Sequence, residues 1–321
     1  MMRAIAHEKG APLKLVETPK PVLRPGEILI RVRAVGVNRA DLVQRAGFYP
    51  PPPGASEILG LEVSGEVEAL GEGATRWMKG DKVCALLAGG GYAEYVAVDE
   101  GSVLPIPSQT SLVDAAAIPE AAITVWANVF ETCALMPGEA FLIHGGASGI
   151  GTTAIQMAAA HGAKVYATAG DDAKLRLCET LGAKRAINYK TEDFEAVLKA
   201  EGGVDVILDM AAGPYLQKNI NIMNERARLA HIAFLLGPRT EIDLTRVMLK
   251  RLTITGSTIR SRAVAEKARL AREVERQVWP WIEAGQLKPV IDSVYPIEEA
   301  EDAHKRMQAG AHAGKIVLTF D

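Results

Sequence analysis

The chain has 321 residues, 48% of them apolar and 23% charged, enough for a globular protein of two domains. Lys and Arg number 36 against 39 Asp and Glu, and a net charge of -3 gives no general affinity for nucleic acid or an anionic membrane. Cys84, Cys133 and Cys178 are few, odd in number and far apart, which argues against a disulfide framework and fits a reducing compartment.

The first ten residues carry His7, Glu8 and Lys9 and no apolar run that could serve as a signal peptide. A cytoplasmic location is the expectation. The first hundred or so residues read as β-rich. Ile28, Ile30, Val32 and Ala34 alternate with Leu29, Arg31 and Arg33, the period of a half-buried strand. Pro50 to Pro53 can be neither helix interior nor central strand, and should form a stiff extended loop. The runs 63–70, 82–87 and 92–98 are short strand candidates bounded by glycine-rich turns, as in a barrel or open β-fold.

The pattern changes near residue 110. Ser111 and Asp114 have capping-box spacing ahead of an alanine-rich helix. The apolar stretch from about Ala115 to Phe130 is interrupted by Pro119 and Glu120 and reads as too short to span a bilayer. Strand candidates then follow at 140–144, 164–168, 185–189, 204–209, 228–233 and 252–256. Helical patterns at 149–160 and 173–181 are each stopped by a glycine, Gly162 or Gly182. This alternation predicts a parallel sheet with helices on both faces. Residues 263–285 read as one amphipathic helix, whose arginines and glutamates make a solvated face, and 291–296 and 315–320 as strands.

The strand at 140–143 runs into Gly145-Gly146-Ala147-Ser148-Gly149-Ile150-Gly151 and then a helix. Such a loop lets a diphosphate approach backbone N–H groups at a helix N-terminus. Ser148 stands where a strict GxGxxG has its middle glycine, so the strand and helix on either side carry much of the argument. About twenty residues on, an NAD-binding fold places an acid against the ribose 2′-hydroxyl. Here that position is Gly170, followed by Lys174 and, at the end of the next strand, Tyr189. The absence of an acid at 170 favours NADPH over NADH, while Asp171 and Asp172 oppose it.

These features resemble the medium-chain dehydrogenase/reductase superfamily, and within it the quinone oxidoreductases that include zeta-crystallin, especially the branch inducible by a tumour suppressor. The resemblance runs over essentially the whole chain. It is carried by Gly36-Val37-Asn38-Arg39-Ala40-Asp41-Leu42, by residues 45–54, by Leu59-Gly60-Leu61-Glu62-Val63-Ser64-Gly65, by Gly80-Asp81-Lys82-Val83, by Asn188-Tyr189-Lys190 and by Gly314-Lys315-Ile316-Val317-Leu318. It implies an α/β protein with a GroES-like β domain from 1–120 and 260–321, a Rossmann domain from 121–259, a cofactor cleft between them and a homodimer. It implies further that Gly146, Ser148, Gly149, Ile150, Gly151, Gly170, Lys174 and Tyr189 bind NADPH. Thr124 matches a position near the nicotinamide, with a helix back-bond as its structural alternative. Phe234-Leu235 and Ser257 match bordering loops.

Zinc-dependent members carry Cys where this chain has Asn38, and His where it has Leu61, and the remaining cysteines and histidines have no ligand spacing. Without a metal the acceptor must be easy to reduce, such as a quinone. Asn38, Asp41 and Tyr49 are candidates to meet the developing oxyanion. Each also has a plain structural reading, Asp41 most of all. An NADPH-dependent enone or alkenal double-bond reductase and an NADPH-binding redox sensor are the alternatives.

Overall fold

A computed structural model describes residues 1–320. The chain divides into two compact units. One comprises Met1–Ile123, Ile259–Glu283 and the chain from Pro289 onward; the other comprises Thr124–Thr258 and Ala284–Lys288. In chain order the first unit holds β1 (Met2–Ala6), β2 (Lys14–Thr18), β3 (Glu27–Val37), helix α1 (Arg39–Arg45), β4 (Glu62–Leu70), β5 (Lys82–Leu86), β6 (Tyr95–Asp99) and β7 (Val103–Pro105). Helices α2 (Leu112–Ala115) and α3 (Pro119–Val125) lead to the second unit. That unit holds β8 (Ala140–His144), α4 (Gly149–Ala160), β9 (Lys164–Ala169), α5 (Asp172–Thr180), β10 (Arg185–Asn188), β11 (Val204–Asp209), β12 (Met223–His231) and β13 (Thr253–Gly256). The chain then returns to the first unit for β14 (Ile291–Pro296) and β15 (Lys315–Thr319).

The first unit is built on a seven-stranded sheet in the order β14-β15-β3-β4-β5-β7, with β6 also paired to β3. Strands from the two ends of the chain thus lie side by side: β15 pairs antiparallel with β3, Ile316 opposite Val37. This is the GroES-like β fold that the resemblance implied. The alternation in β3 holds through Ile28, Ile30 and Val32, which join one core cluster. A bulge between Val32 and Ala34 then shifts the phase. Val35 and Val37 continue that cluster, and Ala34 packs instead with Ala116, Ala117 and Val317 on the other face.

The second unit is a six-stranded, wholly parallel sheet in the order β10-β9-β8-β11-β12-β13. Numbered within the unit this is 3-2-1-4-5-6, the Rossmann order, which reverses between β8 and β11. Leu142, Tyr166, Ile187, Ile207 and Leu229 from five strands share one core with Phe194 and Leu198 of the helix Phe194–Ala200.

Three segments differ from the sequence expectations. Residues 263–285 form two helices, Val264–Gln277 and Trp279–Glu283. Pro280 has no N–H to continue the first helix and suits the first turn of the second. Ala284–Lys288 belongs with the second unit, because the Gln156 amide of α4 bonds both the N–H (2.9 Å) and the carbonyl (3.0 Å) of Lys288. The apolar stretch is broken as expected, by a turn at 116–118 between α2 and α3, but Pro119 is part of the helix that follows. It occupies the first position of α3, where a missing N–H has no cost, and the segment Leu112–Thr132 is helical on both sides of the turn. By length and composition that segment could cross a membrane, but 72% of its most apolar window is buried inside the protein.

Candidate functional site

In the second unit, β8 ends at His144 and the chain turns through Gly145 at φ +73°. Gly151 lies so close to this turn that a β-carbon there would stand 2.5 Å from the Gly146 carbonyl oxygen. Only glycine lets the helix start this near the strand. Ser148 caps α4, its hydroxyl accepting from the Gly151 N–H at 3.0 Å. The serine that departs from the strict glycine pattern therefore takes up one N–H of the first turn. Among the described residues no partner is seen for the N–H groups of Gly149 and Ile150, so this helix end presents two donors.

Gly170 follows β9. A β-carbon there would meet the Tyr189 hydroxyl at 2.5 Å and Lys190 Cε at 3.3 Å, so the ends of β9 and β10 touch at a glycine. Asp171 caps α5 by accepting from the Lys174 N–H at 3.0 Å, and its other oxygen stands 3.8 Å from Lys174 Nζ. Of the two acids expected to oppose a 2′-phosphate, Asp171 is thus engaged with its own helix, while Asp172 is exposed in the first turn. Lys190 is a further cation at this spot that sequence reasoning missed. Spacing from the glycine loop leads to 170 and 174, whereas Lys190 is brought in by the pairing of β10 with β9.

Of the remaining candidates, Thr124 lies in α3, Phe234 and Leu235 follow β12, and Ser257 follows β13. Asn128, buried in a π-helical segment over Trp126–Thr132, donates to the Thr124 carbonyl at 2.9 Å and accepts from the Ser257 hydroxyl at 2.8 Å. Thr124 and Ser257, 133 positions apart, are therefore held by one amide that sequence reasoning did not single out. The Leu235 N–H bonds the Met210 carbonyl at 3.0 Å, just past β11. Phe234 and Leu235 are exposed. All twelve residues expected to meet a cofactor thus lie on the second unit.

The first unit holds a separate polar cluster. Asn38 begins α1, with its side chain turned toward β4 and β15. Its amide donates to the Gly36 carbonyl (3.2 Å) and to Glu62 (2.9 Å), and its oxygen accepts from Lys315 Nζ (2.7 Å). Lys315 also pairs with Glu62 at 2.5 Å, both side chains almost wholly buried, and Glu62 accepts from the Glu120 N–H at 3.0 Å. Both amide hydrogens of Asn38 are consumed in this cluster. Asp41 is fully buried and accepts from the N–H groups of Asn38 (2.8 Å) and Gly60 (3.1 Å) and from the Tyr92 hydroxyl (3.3 Å). Burial pushes its pKa up to about 6 in spite of these donors.

Tyr49 is half-buried, and its ring lies under the Arg260 guanidinium, 5.2 Å from the centroid. Arg260 also donates to the Tyr49 carbonyl (3.1 Å), and burial raises the phenol above its ordinary pKa, so the hydroxyl keeps its proton at neutral pH. Of the three expected catalytic residues, Asn38 and Asp41 are joined by a hydrogen bond and Tyr49 stands apart with Arg260.

Residues 24–108 match the alcohol dehydrogenase GroES-like domain and residues 181–318 match the zinc-binding dehydrogenase family. The human quinone oxidoreductase is 31% identical over 329 residues, covering 99% of this chain and 98% of the relative. The chain belongs to the quinone oxidoreductase family. Among solved structures, the quinone oxidoreductase of Thermus thermophilus, determined also as its NADPH complex, is 31% identical with a TM-score of 0.84. An NAD-dependent alcohol dehydrogenase is 29% identical with a TM-score of 0.88. Each covers 100% of both chains. Within the superfamily of medium-chain dehydrogenases and reductases, then, this family member is an oxidoreductase whose relatives differ in cofactor.

The name of the second matched family raises zinc, and the donors of this family member do not fit it. Leu61 has no ligand atom, Asn38 offers an amide already engaged, and the Lys315 ammonium occupies the vicinity of Glu62. Among the described residues no group of three or more His, Cys, Asp or Glu could hold a metal.

Proposed function

We propose that the protein is an NADPH-dependent, zinc-independent quinone reductase. The observation that carries the cofactor half is the convergence of Tyr189 and Lys190 on Gly170, a position with no carboxylate of its own, with Lys174 in the first turn of the helix that follows. The N–H groups of Gly149 and Ile150 receive the diphosphate, and the two lysines with the tyrosine hydroxyl receive the 2′-phosphate. Gly146, Ser148 and Gly151 shape the loop, and Thr124, Phe234, Leu235 and Ser257 border the nicotinamide. When bound, NADPH supplies the hydride.

The first unit serves the acceptor. A quinone needs no Lewis acid, because incoming charge spreads over its conjugated ring; hydrogen-bond donors to its oxygen suffice. Tyr49, kept protonated and stacked against Arg260, is the donor. Asn38 and Asp41 act as positioning residues, one linking β4 to β15 and the other fixing the N–H groups at 38 and 60. The active assembly is a homodimer, working in the cytoplasm.

Purified protein incubated with NADPH or NADH and a panel of quinones plus one enone tests this through loss of nicotinamide absorbance. Quinone-dependent oxidation with a preference for NADPH is expected. Turnover with the enone alone would transfer the protein to the double-bond reductases, and tight NADPH binding without turnover would make it a sensor.

A further inference from the structure

A cleft of about 680 Å³ lies wholly within the first unit, between the Pro52–Ser56 loop, the Leu86–Gly90 segment and the start of the helix Val264–Gln277. Two of the cations on its wall are buried. Lys267 is 8% exposed and makes one hydrogen bond, a long one of 3.5 Å to the Arg260 carbonyl. Arg260 is 5% exposed, and its donors go to neutral acceptors: the carbonyls of Ala88 (2.7 Å) and Tyr49 (3.1 Å) and the Gln44 side-chain oxygen (2.7 Å). Among the described residues neither cation forms a direct ion pair, and the carboxylates that act on them, Asp99 on Lys267 and Asp41 and Glu57 on Arg260, do so from beyond contact distance. Burial lowers the pKa of both below their ordinary values. A buried cation without a counter-ion in contact is costly, and a bound anion would supply that contact.

The same wall carries an uncapped helix end. Ala263 is the cap residue of the 14-residue helix, has no side chain to offer, and is among the poorer caps. The cleft therefore joins a partly positive helix terminus to two buried cations without a direct ion pair among the described residues, with Arg24 and Arg262, the latter paired with Glu266, also on its wall. Glu27 and Asp99 share the cleft: Glu27 accepts from the Arg24 N–H (2.9 Å), and Asp99 accepts from the Gly101 N–H (3.0 Å) while its charge also acts on Lys267 from a distance. Pro53, Ile58, Leu87 and Val96 give the rest of the lining an apolar character.

We propose that this cleft binds an organic anion, its carboxylate or sulfonate held by Lys267, Arg260 and the helix N-terminus and its apolar body lying along the proline loop. The anion is either the acidic substituent of the acceptor or a separate effector; the first source rests on the quinone-reductase reading.

Naphthalene sulfonate, which is redox-inert, is the probe, with uncharged naphthol as control. Calorimetric titration of the full chain should show the sulfonate binding at least tenfold tighter than naphthol. Lys267→Met should abolish that margin, and Lys267→Arg should restore it. Arg24→Gln, at an exposed position whose side chain makes only a long bond of 3.4 Å to the Gly54 carbonyl, should weaken sulfonate binding several-fold. Equal affinity for the two probes, or a margin that survives both Lys267→Met and Arg24→Gln, overturns the proposal. Kinetics then separates the sources. If the substituent belongs to the acceptor, the probe raises the KM of a sulfonated naphthoquinone without changing kcat. If it belongs to an effector, the probe changes turnover of a neutral quinone. A protein that turns over no quinone would defeat the function proposed above, while the titration would still test the cleft.

Discussion

At Asp41 two opposing forces act on one carboxyl group. Full burial disfavours its charge, and three donors stabilise it, yet the balance leaves the pKa at about 6 against an ordinary 3.8. The folded protein therefore holds this proton at pH values where the unfolded chain releases it. Stability contributed by the protonated carboxyl is complete below about pH 4 and is lost as the pH rises through about 6, a change of roughly 3 kcal/mol. Denaturant melts of the wild type and Asp41→Asn at several pH values should diverge across that interval, because the amide cannot titrate; parallel pH dependences would refute it. Gly151→Ala is the other sharp test on this scale. Its methyl group would meet the Gly146 carbonyl at 2.5 Å, so the turn must open. NADPH affinity measured by cofactor fluorescence should fall at least tenfold.

Among the elements, the β8–α4 and β9–α5 units were the most legible in the sequence. An apolar run ending on glycines, followed by a capped helix, leaves little freedom in where each begins. The Asn128 bridge was not legible, since a π-helical turn has no period of its own and the amide's partners, Thr124 and Ser257, are distant in sequence. Lys190 was hidden for a related reason: its relevance depends on which strand lies beside β9. The bulge in β3 similarly redirects Ala34 without any sign in the alternation. Two predictions belong here. Replacing Lys190 and Lys174 together by Ala should reduce the NADPH-over-NADH preference in kcat/KM at least tenfold while leaving NADH turnover within a factor of about three, since each phosphate contact is charge-assisted. Lys315→Met should cost about 3–5 kcal/mol, because Glu62 would remain buried without its partner. The double variant with Glu62→Gln should recover part of that loss in chemical denaturation.

For the whole molecule, both ends of the chain build the first unit, and the second is folded from one nearly continuous stretch. NADPH held by the second unit should stabilise it by about 2.7 kcal/mol at one hundred times Kd. Scanning calorimetry should show that shift in the unfolding of the second unit. An equal rise for a Gly151→Ala protein would contradict the assigned site.

The buried helical segment Leu112–Thr132 has a different consequence while the protein is being made. It leaves the ribosome before β11 and β12, the strands that its last turns pack against, have been synthesised. At about 5–20 residues per second, the nascent chain presents this greasy stretch to its surroundings for several seconds, roughly four to twenty. During that interval it has the length and apolarity of a membrane anchor, a likeness that ends once the second sheet arrives to cover it.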